Sequence, residues 1–285
     1  MDDFSLPADA HIGRVHLKIS KLEPALRFYS GLLGFEISAI NERYAALSPT
    51  VGGTALLELS EVAGAMRKPP RTSGLFHVAI RLPTRAALGM LLQRLLENEY
   101  PLQGGADHLV SEAVYLADPD GNGLELYCDR PRQSWQWRGQ QVAMSTEPVD
   151  AQGLLEAAAL EAPMPGIHPE TDIGHIHLQA ADLERSEAFY CGLFGFQATQ
   201  RDYPGALFVS AGGYHHHIGL NIWAGRGAPP PPANAVGLKS FQVALPQAAQ
   251  RQKLIERLQE GGIPLYPQSD GSLQLQDPDG NTIEI

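Results

Sequence analysis

Residues 108–127 of this 285-residue chain read HLVSEAVYLADPDGNGLELY, and they bring together side chains suited to chemistry. Tyr115 precedes Glu125, and Asp118-Pro119-Asp120-Gly121-Asn122 between them has the composition of a tight turn. Val114 and Tyr115 lie in one strand-like run, and Leu124 to Tyr127 lie in the returning one. The pattern predicts a hairpin that sets a phenol beside a carboxylate. A carboxylate on a rigid strand can hold a metal, and a nearby tyrosine can hydrogen-bond whatever that metal binds. Ten histidines accompany the pair, and imidazole is the commonest metal-binding side chain. Three of them run consecutively in Tyr214-His215-His216-His217.

Composition narrows the classes open to such a site. With 44% hydrophobic and 19% charged residues, the chain reads as globular, long enough for one large or two ordinary domains. Its apolar runs are too short to span a bilayer. The opening MDDFSLPADA lacks the apolar core of a signal segment. A formal charge of −11 argues against nucleic acid, whose binding needs basic surface. Two cysteines, Cys128 and Cys191, make no disulfide framework, so a cytoplasmic, reducing location is expected.

The positioning elements come in repeats. Ile12 to Phe35 reads IGRVHLKISKLEPALRFYSGLLGF, and Ile173 to Phe196 reads IGHIHLQAADLERSEAFYCGLFGF, with 12 of 24 positions identical. A second pair shares its turn, ADPDGNGLEL at 117–126 and QDPDGNTIEI at 276–285. Repeats of this kind set the architecture. Each unit opens with a strand, continues into an amphipathic helix and ends in strands. In the first unit the strand covers about 13–19 and the helix about 22–33, stopped by Gly34. The second has its helix near 85–97. The predicted fold is α+β: four βαβββ modules at 11–60, 74–127, 173–223 and 238–285. An N-terminal pair (1–128) and a C-terminal pair (173–285) flank a linker, 129–172, with one helix at 151–160. Pro229 to Pro232 should form a stiff, extended segment, so modules three and four need not pack directly on each other.

Four such modules, with FY-x-G-x-x-GF after the first helix and DPDGN-x-x-E at the end, resemble the vicinal oxygen chelate superfamily of glyoxalases, bleomycin-resistance proteins and extradiol dioxygenases. The resemblance implies that modules pair into two incomplete β-barrels, with metal ligands on the first strand of each module and on the last strand. Within the superfamily, His108, Val114, Tyr115, Asp118, Pro119, Gly121 and Glu125 match the extradiol signature, with Ala106 departing from its usual first position. The whole chain is most similar to bacterial two-domain catechol 2,3-dioxygenases.

By that resemblance the first-strand ligand positions fall on Arg14, His77, His175 and Ser240, and the last-strand carboxylates on Glu125 and Glu284. A ferrous triad needs two imidazoles and one carboxylate. Pairing modules one with two puts an arginine in the set, and pairing three with four leaves it one imidazole short. Modules two and three together offer His77, Glu125 and His175. The expected catalytic barrel is therefore built from 74–127 and 173–223. A structural barrel would come from modules one and four, within one chain or exchanged between chains, and Glu284 would be a structural echo of Glu125.

The resemblance further implies that Tyr115 and a histidine at the start of the last strand of module three are catalytic. His216 fits that place best, with His215 next. Regular alternation would put His215 and His217 on one face and His216 on the other. An imidazole there can take a catechol proton and return it near neutral pH. His108 is expected to hydrogen-bond substrate or Tyr115. His177, His215 and His217 would touch substrate or support the ligands, and Arg130 and Trp135 would close the pocket. The glyoxalase-type fourth ligand would fall on Gly219 or Asn221, neither a carboxylate. The leading expectation is an Fe(2+)-dependent ring-opening dioxygenase of catechols. Its partners would be a small aromatic diol and O2, with a homodimer allowed and neither nucleic acid nor membrane engaged. The rivals are an isomerase or thiol transferase of glyoxalase or fosfomycin type, using Mn(2+), Ni(2+) or Zn(2+), and a non-catalytic binder of bleomycin type.

Overall fold

The computed structural model describes residues 4–285. Module one comprises β1 (His11–Ile19), α1 (Leu22–Leu26), β2 (Glu36–Asn41), β3 (Tyr44–Ser48) and β4 (Leu57–Glu61). Module two comprises β5 (Gly74–Arg81), α2 (Arg85–Glu97), β6 (Leu102–Asp107), β7 (Ser111–Ala117) and β8 (Gly123–Asp129). The connection carries the short strands β9 (Trp137–Arg138), β10 (Gln141–Val142) and β11 (Glu147–Pro148), then α3 (Ala151–Ala158). Module three comprises β12 (Asp172–Gln179), α4 (Leu183–Glu187), β13 (Gln197–Gln200), β14 (Ala206–Ser210) and β15 (Ile218–Asn221). Module four comprises β16 (Gly237–Ala244), α5 (Ala248–Glu260), β17 (Tyr266–Pro267), β18 (Leu273–Gln276) and β19 (Thr282–Glu284).

Two curled sheets organise these strands in an α+β fold. One has the order β11-β6-β7-β8-β5-β12-β15-β14-β13 and so joins modules two and three. The other, β17-β18-β19-β16-β1-β4-β3-β2, joins modules four and one. Both seams, β5–β12 and β1–β16, are antiparallel and lie within one chain. The central strands β5, β8 and β12 are buried over most of their length. Their sequences accordingly read as near-continuous apolar runs interrupted by histidine or glutamate. A single hydrophobic cluster runs through both sheets and the helices that cover them.

The repeated sequence motifs lock the modules in the complementary pairing. The Tyr29 hydroxyl of module one donates to Asp118 Oδ2 of module two at 3.0 Å. The Tyr190 hydroxyl of module three donates to Asp277 Oδ2 of module four at 2.8 Å. A second aspartate of each turn accepts a backbone N–H from the partner module: Ser20 donates to Asp120 at 2.8 Å, and Ala181 to Asp279 at 3.2 Å. Tyrosine–turn locks thus join one to two and three to four, and sheet seams join two to three and four to one. The four modules close in a ring.

The first helix differs from the uninterrupted 22–33 span that periodicity suggests. Only Leu22–Leu26 is α-helical, and Arg27–Leu32 is a π-helical turn in which Leu33 N–H reaches Phe28 O at 2.9 Å. Module three repeats this at Ala188–Leu193. The wider turn carries one more residue, and both Phe28 and Tyr29 point into the core. The linker also holds more structure than expected. β11 extends the sheet of modules two and three on β6, and α3 packs on α2. The proline segment lies along residues 64–73, with Ser73 N–H donating to Pro229 O and Met66 bridging Ala235.

Because the tyrosine–aspartate locks are buried, Tyr29→Phe leaves the Asp118 carboxylate one donor short. Urea unfolding should show a loss of about 1–3 kcal/mol, with a similar loss for Tyr190→Phe.

Candidate metal centre and its pocket

Strand register assembles the site. β5 and β8 run parallel with Ala79 beside Glu125, and β5 and β12 run antiparallel with Ala79 opposite His175. Tyr115 of β7 stands opposite Glu125. One row across four strands therefore reads Tyr115, Glu125, Ala79, His175. His77 lies two residues from Ala79 and shares its face. The alanine keeps the middle of the row low, so the longer side chains on either side converge above it.

His77, Glu125 and His175 are 6%, 3% and 1% exposed, and each offers a ligand atom within 4.8 Å of the others. His77 Nε2 is 2.9 Å from Glu125 Oε2, and His175 Nε2 is 3.4 Å from the same oxygen. Neither contact has hydrogen-bond geometry. His77 Nε2 and both nitrogens of His175 are buried without a hydrogen-bond partner. Unsatisfied buried polar atoms are costly and rare; one nitrogen from each of these two rings, beside a buried carboxylate, makes a group that could hold a metal ion. Burial lowers His175 to about 4, so its ring stays neutral and one of its nitrogens keeps a lone pair. Burial works to raise Glu125, but the two imidazoles hold it well below the usual carboxylate range.

The sister barrel is the internal control. At the corresponding positions, the Arg14 guanidinium donates to Glu284 Oε2 at 2.8 Å and the Ser240 hydroxyl to Oε1 at 2.8 Å. His16, the counterpart of His177, is bonded to Ser60 and Glu58. There the buried carboxylate already has its cation and donors, and none of its atoms is left open to a metal.

A cavity of about 360 Å³ opens over the triad, walled by Phe76, Met144, Tyr203, Phe208 and Trp223. Tyr115 and His216 face it from opposite sides. His108 Nδ1 is 2.6 Å from Ser145 O, and its Nε2 is 2.6 Å from the Tyr115 hydroxyl. A carbonyl can only accept, so Nδ1 carries the hydrogen and Nε2 accepts from Tyr115. The Tyr115 oxygen thus keeps its lone pairs for the cavity. Burial and the nearby Glu125 push that phenol well above its ordinary value.

The remaining histidines separate by role. His177 lines the cavity and accepts from Asn221 Nδ2 at 3.0 Å. His216 packs on His175 with ring centres 4.0 Å apart. His215 is fully buried behind it, on Asp129. His217 points away, its Nδ1 near Ser210 Oγ and Ala211 N. The expected sharing of one face by His215 and His217 fails because β15 begins only at Ile218 and the three histidines occupy the turn before it. Arg130 and Trp135 do not close the cavity. Arg130 pairs with Asp107, and the Trp135 indole is buried on Tyr214 and His215.

Several cavity residues carry no signal in the sequence. Met144, Ser145 and Thr146 come from the linker, and Tyr203 and Trp223 from loops of module three. Only Phe76, next to His77 and 37% exposed within an otherwise buried strand, could have been noticed from its position.

Residues 11–126 and 172–285 match the family model of the glyoxalase/bleomycin resistance protein/dioxygenase superfamily. A catechol-2,3-dioxygenase from Bacillus subtilis (strain 168) is 45% identical over 278 residues, 96% of each chain. Among solved structures, a Bacillus subtilis protein described as a dioxygenase aligns with a TM-score of 0.67 at 12% identity, over 99% of this chain and 86% of its own. Glyoxalase I from Zea mays aligns with a TM-score of 0.56 at 14% identity, over 97% and 92%. At these identities the two structures show the fold alone.

The orphaned donor set predicts one divalent ion per chain. Dialysis against Fe(2+) or Mn(2+) followed by elemental analysis should find it, His175→Ala should lose it, and His217→Ala should keep it.

Proposed function

This chain belongs to the glyoxalase/bleomycin resistance protein/dioxygenase superfamily, and we propose that it is an extradiol dioxygenase, an oxidoreductase that opens a catechol ring beside its two hydroxyls with Fe(2+) and O2. The observation that carries the reading is the three-ligand set under an open cavity. His77, Glu125 and His175 would hold the ion. The position that a fourth ligand would take falls on Gly219 or Asn221; the first has no side chain, and the amide of the second is engaged with His177. Three ligands leave room for both oxygens of a diol and for dioxygen, which favours this chemistry over an isomerase of glyoxalase type.

Bound iron would supply the electron transfer between an electron-rich diol ring and dioxygen. The protein's own residues do the rest. Phe76, Phe208 and Trp223 flank the ring and keep water out. Tyr115 Oη accepts a hydrogen bond from one diol hydroxyl, and His216 takes a proton from the substrate and returns it as the ring opens. His108 fixes the Tyr115 hydroxyl, and His177 fills the wall between Phe76 and Phe208.

Iron-loaded protein mixed aerobically with catechol should consume oxygen and form a yellow ring-opened semialdehyde. Absence of both across several substituted catechols would overturn the assignment. Among the described residues, no arginine or lysine lines the cavity. A carboxylate on the substrate would lose water without gaining a cation, at a cost of several kcal/mol. Catechol and methylcatechols should therefore exceed carboxylated catechols in kcat/KM by about 100-fold or more, the factor that about 2.7 kcal/mol gives.

A further inference from the structure

Behind His216 lies a hydrogen-bonded chain that the reaction as described does not use. His216 Nδ1 is 2.8 Å from His215 Nδ1, and His215 Nε2 is 3.0 Å from Asp129 Oδ1. The Tyr214 hydroxyl donates to the same Oδ1 at 3.0 Å, and Tyr127 is 2.7 Å from Tyr214. Asp129 Oδ2 accepts from Arg81 Nη1 at 3.0 Å, and the other arm of Arg81 is held by Asp172. Opposed to burial, His215 and Arg81 keep the Asp129 carboxyl below the usual carboxylate range. His215 has no freedom to turn: it is 0% exposed, with its ring centre 4.1 Å from that of Tyr214 and 5.2 Å from that of Trp135. Space for the chain is built in, since a Cβ on Gly174 would fall 1.6 Å from the Tyr127 hydroxyl oxygen.

Hydrogen-bond directions then follow one from another. A carboxylate only accepts, so His215 carries its hydrogen on Nε2. In neutral His215 the other nitrogen, Nδ1, is an acceptor. A contact of 2.8 Å between two Nδ1 atoms needs one hydrogen, which must come from His216. His216 is then protonated on Nδ1, and its Nε2 bears a lone pair with no partner among the described residues. We propose that Asp129 and His215 are positioning residues that fix the tautomer of His216, so that a basic Nε2 faces substrate before substrate arrives.

This inference rests on the dioxygenase reading for its consequence, but not for its test. In 15N-labelled protein loaded with diamagnetic Zn(2+), long-range proton–nitrogen spectra should show the His216 ring protonated at Nδ1 and bare at Nε2. Asp129→Asn offers His215 an amide that can donate as well as accept, and should produce a mixture of His216 tautomers. The same variant with iron should lose about 10- to 100-fold in kcat, with KM and iron content little changed. A wild-type His216 protonated at Nε2 would overturn the proposal, whatever the enzyme's activity. So would an Asp129→Asn variant with an unmoved tautomer. If Asp129→Asn fails to fold, the wild-type spectrum decides alone. An expected tautomer in a protein that turns over no catechol would leave this proposal standing and remove the dioxygenase reading instead.

Discussion

Glu125 is a carboxylate withdrawn almost completely from water, and much of the architecture follows from what must neutralise it. An isolated buried carboxylate is strongly disfavoured unless it is paired with a cation or protonated. The sister barrel shows the pairing solution. Its equivalent residue, Glu284, is met by Arg14 and Ser240, and the charge is settled inside the protein. Around Glu125 the same positions hold His175 and His77, which bring lone pairs and no fixed charge. A divalent ion would complete that set as the guanidinium completes the other. One fold therefore carries two versions of a single electrostatic problem, one closed and one left open to a metal.

The open version needs strands from both halves of the chain. β5 and β8 come from module two and β12 from module three, and a shift of one residue at the β5–β12 seam would turn His175 to the other face. The tyrosine–aspartate locks act on the two other module boundaries. With seams and locks alternating around the ring, displacement of one module is resisted by both neighbours. A metal whose ligands sit on opposite sides of a seam is held by the whole ring and in turn ties the seam together.

Modules and repeats were legible in the sequence because they depend on local signals in register: an apolar strand, a helix stop, an Asp-Pro-Asp-Gly-Asn turn; the family resemblance pointed to His77, Glu125 and His175, which the structure gathers within 4.8 Å of one another. The choice between module pairings was legible only through chemistry, since Arg14 and Ser240 cannot substitute for imidazoles as ligands. What stayed hidden has a common cause. The π-helical turns at Arg27–Leu32 and Ala188–Leu193 keep the apolar periodicity of an α-helix nearly intact. Met144, Ser145, Thr146, Tyr203 and Trp223 reach the cavity from irregular segments, where no period links position to direction. The orientation of the three consecutive histidines was misjudged for the same reason: alternation applies to a paired strand, and theirs starts one residue later.

Directionality is the last constraint that these contacts impose on the cavity. Two hydrogen-bond chains reach it, and each begins at a group that can only accept. From Ser145 O the order runs through His108 to Tyr115, and from Asp129 through His215 to His216. Each intermediate imidazole passes one hydrogen toward its anchor and receives one from the cavity side. Both terminal atoms, Tyr115 Oη and His216 Nε2, therefore end as acceptors, on opposite sides of the metal ligands. A neutral catechol presents the complement, two adjacent O–H donors on an apolar ring. A ligand with acceptors at those two places would leave all four groups without a hydrogen between them, and in an apolar cavity each such mismatch costs about 1–3 kcal/mol. The cavity thus discriminates by the direction of its hydrogen bonds as well as by its shape.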